Sequence, residues 1–265
     1  MAAISALLAE VERDHRVTLL WAIESGSRAW GFPSPDSDYD CRFIFVRRTE
    51  AYLTPWPERD VIETPLVDDL DVNGWDLGKA LRLLLNGNAV VIEWLRSPLV
   101  YRGFTGFRDE LLALAAKHAP RDRIGRHYLH LGERQRRTYF GDGRAVAAKK
   151  IFYALRPAAA LRWLRLHPQE TLPPMHFPTL IEESDVPADV SGIVAEMIRR
   201  KAETRELGSA PLPRPVSEFV DREFDTARAS FEKKLAPPAR EARREAESLF
   251  RKWVALAETS PGDGA

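Results

Sequence analysis

The spacing of apolar residues divides the chain into a first part with strands and helices and a second part that is helical. Apolar residues near the start recur at the i, i+3, i+4, i+7 spacing of an amphipathic helix, which predicts a helix over 2–16. Short runs of β-branched and aromatic residues follow, and such runs favour strands because their side chains fit a pleated, half-buried surface. The predicted strands cover 17–23, 38–46 and 60–66.

Helical periodicity takes over after the predicted strands. A helix is expected to begin after Asp76, which stands where a capping residue belongs, and to end at Gly87. Expected helices further along cover 107–118, 122–140, 144–166, 188–205, 215–235 and 237–258. The chain is therefore expected to be α+β, with a small mixed-sheet domain over 1–105 followed by an α-helical domain over 106–265.

The composition is that of a soluble globular chain, at 45% hydrophobic and 29% charged residues. No stretch approaches the roughly 20 apolar residues of a membrane span. The first residues lack the basic start and long apolar core of a signal peptide. The single cysteine, Cys41, cannot form an internal disulfide, which fits a reducing compartment. A cytoplasmic location without membrane contact is expected.

Charge is distributed unevenly although the net charge is zero. Residues 1–100 carry 10 basic and 16 acidic side chains, whereas residues 101–265 carry 29 and 23. The segment 121–156 is the most basic, with 10 basic and 3 acidic side chains. An acidic half that can hold metal and a basic half that can hold phosphate suit a nucleotide-handling enzyme, although solvated helix faces also carry arginine.

A loop leading to two aspartates carries the strongest chemical signal. Gly26 and Ser27 suit a tight turn whose backbone N–H groups can face a phosphate. Asp38 and Asp40 lie two residues apart at the start of a predicted strand, so their side chains project from one face. Two such carboxylates repel each other unless a cation lies between them, and Mg²⁺ is bound by one or two carboxylates plus substrate phosphates. The alternative is a simple polar turn, since Pro, Asp and Ser are common turn residues.

Gly26-Ser27 followed, after a short spacer, by Asp38-Tyr39-Asp40 resembles the signature of the polymerase-beta-type nucleotidyltransferases. Three longer stretches resemble one branch, the RNA-repair-pathway polymerase-beta-like nucleotidyltransferases. They are GSRAWGFPSPDSDYDCRFIFV at 26–46, GWDLGKALRLLLNGNAVVIEWLRSPLVY at 74–101 and KKIFYALRPAAALRW at 149–163. The resemblance implies Mg²⁺-dependent transfer of a nucleoside monophosphate from a nucleoside triphosphate to a hydroxyl or phosphate acceptor, with RNA or tRNA as the expected partner.

The resemblance also implies a set of site residues. In the family, the positions matching Ser27 and Arg28 contact the triphosphate, and a third carboxylate on a neighbouring strand acts as general base. Asp71 is preferred for that carboxylate because it lies between two apolar residues, whereas Asp76 is more simply explained as a helix cap. The expected catalytic residues and metal ligands are Asp38, Asp40 and Asp71. The expected nucleotide contacts are Gly26, Ser27, Arg28, Ser37, Lys149, Lys150, Tyr153 and Arg156.

Lys149, Tyr153 and Arg156 recur at i, i+4 and i+7, on one stripe of a predicted helix. Cations there can face phosphates and the ring can stack on a base, while the alternative is a solvated helix face. Arg28 has a similar alternative as an ordinary surface residue.

Three functions are compatible with these residues. The first is an RNA-end nucleotidyltransferase in repair. The second is a nucleotidyltransferase that modifies a protein or small molecule in a toxin or defence system. The third is a nucleotide-binding regulator without turnover, against which the intact Asp38 and Asp40 pair argues. The nucleotide used and the oligomeric state are left open by the sequence.

Overall fold

A five-stranded mixed sheet forms the first part of the chain in the computed structural model, which describes residues 2–140, 146–204, 208–231 and 236–259. Its strands are β1 (Val17–Glu24), β2 (Tyr39–Arg47), β3 (Val61–Glu63), β4 (Leu70–Asp76) and β5 (Val100–Gly103). Their order is β3-β4-β2-β1-β5. The β2 and β4 strands are parallel, and the other neighbours are antiparallel.

The sheet is buried on both faces because two hydrophobic cores use alternate residues of its central strands. In β2, Cys41, Phe43 and Phe45 belong to the smaller core, which also contains Ile4 and Leu8 of the first helix. Ile44 and Val46, on the other face of β2, pack into the larger core instead. Cys41 is a free, buried cysteine in the smaller core, and its burial raises the pKa of the thiol to about 12.

Helices make up most of the rest of the described chain. They are α1 (Ala2–His15), α2 (Gly26–Trp30), α3 (Leu77–Leu85), α4 (Ala89–Leu95), α5 (Thr105–His118), α6 (Arg121–Tyr139), α7 (Ala148–Leu166), α8 (Phe177–Glu183), α9 (Ala188–Glu203), α10 (Arg214–Phe231) and α11 (Arg240–Thr259). A 3-10 helix covers Thr49–Tyr52, and the short strands β6 (Val146–Ala147) and β7 (Ser209–Ala210) pair with each other. None of the described helices combines the length and the apolar character needed to span a bilayer.

The larger core is continuous from the sheet into the helical part of the chain. It includes Trp21 and Ile44 of the sheet together with Phe152 of α7 and Phe219 of α10. The last helix, α11, returns to pack against α3 and α5 near the sheet. The α+β prediction is confirmed, and the division into domains at residue 105 stays a prediction.

Several elements differ from the predicted pattern, among them β5, which lies outside the predicted strands. The segment 24–35 is predicted as a loop but contains α2, and the proline-rich segment 167–178, also predicted as a loop, leads into α8. The long helix α7 begins at Ala148 rather than at residue 144, because β6 comes before it. A turn predicted from the Gly-Asp-Gly sequence at 141–143 and a C-terminal tail predicted over 260–265 lie outside the described residues.

Candidate active site

The parallel pairing of β2 with β4 brings two of the three predicted carboxylates side by side. Asp40 of β2 is the register partner of Asp71 in β4, and Asp38 lies just before β2 begins. Asp40 is also tied to β1, since its backbone N–H donates to Glu24 Oε1 at 2.9 Å and its carbonyl accepts from Ser25 N at 2.8 Å. The site therefore lies where β1 ends and β2 and β4 begin.

Asp76, the alternative third carboxylate, has a different role. It lies at the far end of β4, opposite Phe45. Its carboxylate accepts hydrogen bonds from Gly78 N at 2.7 Å, as an N-cap of α3, and from the Tyr52 hydroxyl at 2.6 Å. The prediction of a helix cap at this position is confirmed, and Asp71 is the carboxylate beside Asp40.

Gly26 brings the start of α2 against the Asp40 carboxylate. Its φ of +61° lies in the left-handed region that favours glycine. A Cβ atom at this position would lie 1.9 Å from Asp40 Oδ2, so a side chain would collide with the carboxylate. The Gly-Ser turn is therefore in direct van der Waals contact with Asp40, the second aspartate of the motif.

A network of serine hydroxyls fixes the loop between α2 and β2. Ser37 Oγ lies 3.0 Å from Ser27 Oγ and 2.9 Å from Ser34 Oγ, and it accepts from Ser34 N at 2.8 Å. Lys201 of α9 is buried and donates to Phe32 O at 2.8 Å, with Ser34 Oγ and Ser37 Oγ each 3.4 Å away. This lysine comes from the far end of the chain, and no local sequence pattern connects it to the loop.

Arg28 also holds this loop. Its Nη2 donates to Ser37 O at 2.6 Å and its Nε to Asp38 O at 3.2 Å. Its guanidinium lies 3.9 Å from the ring centre of Tyr39. Arg28 is thus a half-buried residue that positions the backbone carrying Asp38, rather than a surface side chain without contacts.

Arg42, which is not among the predicted site residues, lies between the two register-paired carboxylates. Its Nη2 is 3.0 Å from Asp40 Oδ1 and 2.6 Å from Asp71 Oδ2, and its Nη1 donates to Asp71 O at 2.7 Å. Asn73 Nδ2 donates to the other oxygen, Asp71 Oδ1. The sequence does hold a signal for this residue, because Asp38, Asp40 and Arg42 alternate along one strand face.

The remaining carboxylate oxygens fit a divalent cation. Among the residues that the structure describes, none donates a hydrogen bond to Asp40 Oδ2 or to the Asp38 carboxylate. Burial raises the pKa of Asp40, and the nearby Asp71 and Asp38 add to that rise while Arg42 opposes it. A cluster of carboxylate oxygens with excess negative charge is the donor set that Mg²⁺ prefers.

Glu24 lies beside these carboxylates and was also missed from the sequence. Its side chain is buried and accepts hydrogen bonds from Asp40 N and from the Tyr101 hydroxyl, and its carbonyl accepts from Ser97 Oγ at 2.6 Å. Burial raises the pKa of Glu24, and the bond from Tyr101 lowers it. Glu24 thus anchors the junction of β1, β2 and β5 next to Asp40.

Helix α7 supplies an aromatic side chain next to α2, since the ring centres of Tyr153 and Trp30 are 6.3 Å apart. Burial raises the pKa of Tyr153, and the negative charges of Asp40 and Asp38 raise it further. The Tyr139 and Tyr153 ring centres are 5.8 Å apart, and Lys150 Nζ lies 4.4 Å and 5.1 Å from them. Two of the predicted nucleotide contacts on α7 therefore form one aromatic and cationic patch.

Arg156, another predicted nucleotide contact on α7, is engaged elsewhere. Its Nη2 lies 2.5 Å from Glu93 Oε1, and both side chains are only 9% exposed. Glu93 also accepts from the Tyr128 hydroxyl at 3.0 Å, and the Arg156 guanidinium lies 4.2 Å from the Trp30 ring centre. The side chain of Lys149 lies outside the described part of the structure. The stripe expected from the sequence is therefore divided between the site and the core.

Comparison with known proteins gives two matches. Residues 1–252 match the family described as RlaP, RNA repair pathway DNA polymerase beta family. The chain is also 37% identical over 218 residues to a Bacillus subtilis (strain 168) protein named uncharacterized protein YcgL, a match that covers 82% of this chain and 83% of that protein.

Proposed function

Since this chain belongs to the RNA repair pathway DNA polymerase beta family, we propose that it transfers a nucleoside monophosphate from a nucleoside triphosphate to an RNA end. The acceptor hydroxyl or phosphate oxygen forms a bond to the α-phosphorus, and the bond from that phosphorus to the β-phosphate oxygen breaks. Pyrophosphate leaves, and the proton of a hydroxyl acceptor passes to a base. We assign no particular nucleotide.

One observation carries this proposal: Asp40 and Asp71 lie side by side on β2 and β4 next to the Gly26–Ser27 turn, and Asp38 lies two residues before Asp40. Asp40 and Asp71 are register partners on parallel strands, and Gly26 contacts the Asp40 carboxylate. A turn that can face phosphate beside a set of carboxylates that can hold metal is the minimal apparatus for this reaction, because the transfer needs positioning and charge neutralisation more than covalent chemistry.

Asp38 and Asp40 are the proposed ligands for Mg²⁺, which when bound neutralises negative charge on the phosphates and aligns them. Asp71 is the proposed general base. Its two oxygens accept hydrogen bonds from Arg42 and Asn73, which orient the carboxylate, and 35% of the side chain is exposed to an incoming acceptor. A carboxylate oxygen has further lone pairs available for a proton.

The nucleotide is proposed to bind between the serine-rich loop and α7. Ser27 and Ser37 offer hydroxyls to the phosphates, and Arg28 holds the loop that carries them. Lys150 offers a cation, and Tyr153 offers a ring on which a base can stack. In this arrangement the residues before 105 supply the carboxylates and the serine hydroxyls, and the helical residues after 105 supply the cation and the aromatic ring.

Labelled nucleotides test the proposal directly. The purified protein is incubated with Mg²⁺, an RNA mixture and each nucleoside triphosphate in turn, labelled at either the α- or the γ-phosphate. We expect the α-label to enter RNA and the γ-label not to, because only the monophosphate is transferred. The Asp40→Asn variant is the negative control.

Other outcomes separate the competing functions. If the label enters protein or a small molecule, the acceptor is not RNA, but the proposed transfer of a nucleoside monophosphate still holds. Nucleotide binding without transfer to any acceptor would indicate a nucleotide-binding regulator and would refute the proposed nucleotidyltransferase activity.

A further inference from the structure

Arg42 is placed to act as a permanent counterion within the carboxylate cluster. It follows Asp40 by two residues on β2, so both side chains lie on the same face of the sheet. Its guanidinium bridges Asp40 and Asp71 and also donates to the carbonyls of Asp71 and Cys41, at 2.7 Å and 3.0 Å. With its side chain only 18% exposed, Arg42 is fixed in place by contacts to its own strand and to β4.

A guanidinium is positively charged in proteins, so Arg42 places a fixed positive charge among the aspartates. It therefore offsets part of the negative charge of the three aspartates at all times. The guanidinium occupies one oxygen of Asp40 and one of Asp71, and both oxygens would otherwise be available to a cation. A free divalent cation thus meets a cluster that is already partly neutralised and partly occupied.

We propose that Arg42 makes divalent-cation binding at this site depend on a nucleoside triphosphate. Arg42 offsets part of the carboxylate charge and occupies two carboxylate oxygens. A bound triphosphate supplies negative charge and oxygen ligands to the cation in their place. Coupling between two ligands is reciprocal, so the cation strengthens nucleotide binding by the same factor. Arg42 is a positioning residue here, and the inference rests on the proposed function because it requires a nucleotide site beside Asp38 and Asp40.

Binding of Mn²⁺, followed by its electron paramagnetic resonance signal, tests this without turnover. For the wild-type protein, we expect weak binding of Mn²⁺ alone and at least about tenfold tighter binding with a non-hydrolysable triphosphate analogue. In Arg42→Gln, we expect Mn²⁺ alone to bind about tenfold more tightly than in the wild type, so that dependence on the analogue shrinks.

Two further variants separate charge at the site from charge in general. Arg214→Gln removes the same charge from a side chain that is 87% exposed on α10, and it should leave Mn²⁺ binding unchanged. Arg42→Lys keeps the charge at the site and should keep the dependence on the analogue. Circular dichroism checks that each variant is folded, and if Arg42→Gln fails to fold, the wild type and Arg42→Lys still decide the question.

The inference is overturned if the wild-type protein binds Mn²⁺ equally well with and without the analogue. It is also overturned if folded Arg42→Gln binds free Mn²⁺ no more tightly than the wild type does, or if Mn²⁺ binding by Arg42→Lys no longer depends on the analogue. Failure of the proposed function looks different: the wild type would then bind no triphosphate analogue at all, with or without Mn²⁺, and this inference would fall with it.

Discussion

The carboxylates at the start of β2 and the stripe on α7 were both predicted from residue spacing, yet the structure treats them differently. Asp38 and Asp40 lie at one strand end, and Asp71 joins them as the register partner of Asp40. On α7, the Tyr153 ring lies against Trp30 of α2 and below the Lys150 ammonium group, whereas Arg156 forms a buried ion pair with Glu93. A regular spacing thus placed the predicted residues together in one region and divided them in the other.

The reason is how much of each element is buried. The start of β2 lies at the edge of the core. Every second residue there projects from the same face of the sheet, so the polar side chains at the strand start lie together. Helix α7 is buried along most of its surface, with Phe152 and Leu155 fully inside the core. A stripe on such a helix borders the core, and its members face either solvent or a buried partner according to what packs beside them.

The largest expected effect is loss of the site carboxylates. Asp40→Asn and Asp38→Asn should each lower the rate of nucleotide transfer by about a thousandfold, because the cation that neutralises the phosphates loses a charged ligand. The melting temperature should change little, since both side chains are partly exposed. Initial rates with α-labelled nucleotide measure the effect.

Asp36→Asn is the matched control for these two variants, because Asp36 is an exposed residue of the same loop. It should transfer nucleotide at the wild-type rate. Full activity in either site variant would show that the carboxylate cluster is not the catalytic centre.

The buried ion pair should respond in stability instead. Glu93→Gln leaves the Arg156 guanidinium without a buried counter-charge, so the free energy of unfolding should fall by about 3–5 kcal/mol. Glu218→Gln is the control, because it breaks an exposed Arg–Glu pair on α10 and should cost only about 0.5 kcal/mol. Urea titration measures both.

If Glu93→Gln kept wild-type stability and instead weakened nucleotide binding, Arg156 would be a phosphate contact, as its sequence position first suggested. The comparison between the two regions would then lose its basis, because the stripe on α7 would act as one unit.

Most of the elements could be predicted because their patterns are local. Helix α1, strands β1 and β2 and helix α3 follow from periodicity and from the cap at Asp76, which accepts from Gly78 N. Helix α2 was missed because it is five residues long and begins at a glycine. Helix α8 was missed because the prolines before it indicate a loop, although proline is tolerated at a helix start.

The site was predictable only where its residues are close in sequence. The pairing of Asp71 with Asp40 was reached through the family resemblance, since parallel pairing joins strands that no turn connects. Arg42 could have been found by extending the same alternation by one step. Lys201 and Glu24 could not, because the first comes from α9 and the second owes its position to strand pairing and to Tyr101.

A smaller effect is expected at the aromatic ring on α7. Tyr153→Ala should raise the KM for the nucleotide by about tenfold, because stacking of a base on an aromatic ring contributes about 1–3 kcal/mol. Tyr153→Phe keeps the ring and should stay close to wild type. If Phe and Ala were equally impaired, the hydroxyl rather than the ring would be what the nucleotide contacts.

The smallest expected effect is at Lys150, whose ammonium group lies over the Tyr139 and Tyr153 rings and forms no ion pair among the described residues. Lys150→Met should weaken nucleotide binding by only about threefold, because a partly exposed cation acts through water and is screened by salt. Lys117→Met, on α5, removes the same charge elsewhere and should have no effect. The affinity of the wild type should fall as salt is added, and that of Lys150→Met should fall less steeply. If the nucleotide affinities of the two proteins fell equally steeply with salt, Lys150 would not contact the nucleotide. Tyr153 would then be the proposed nucleotide contact from α7.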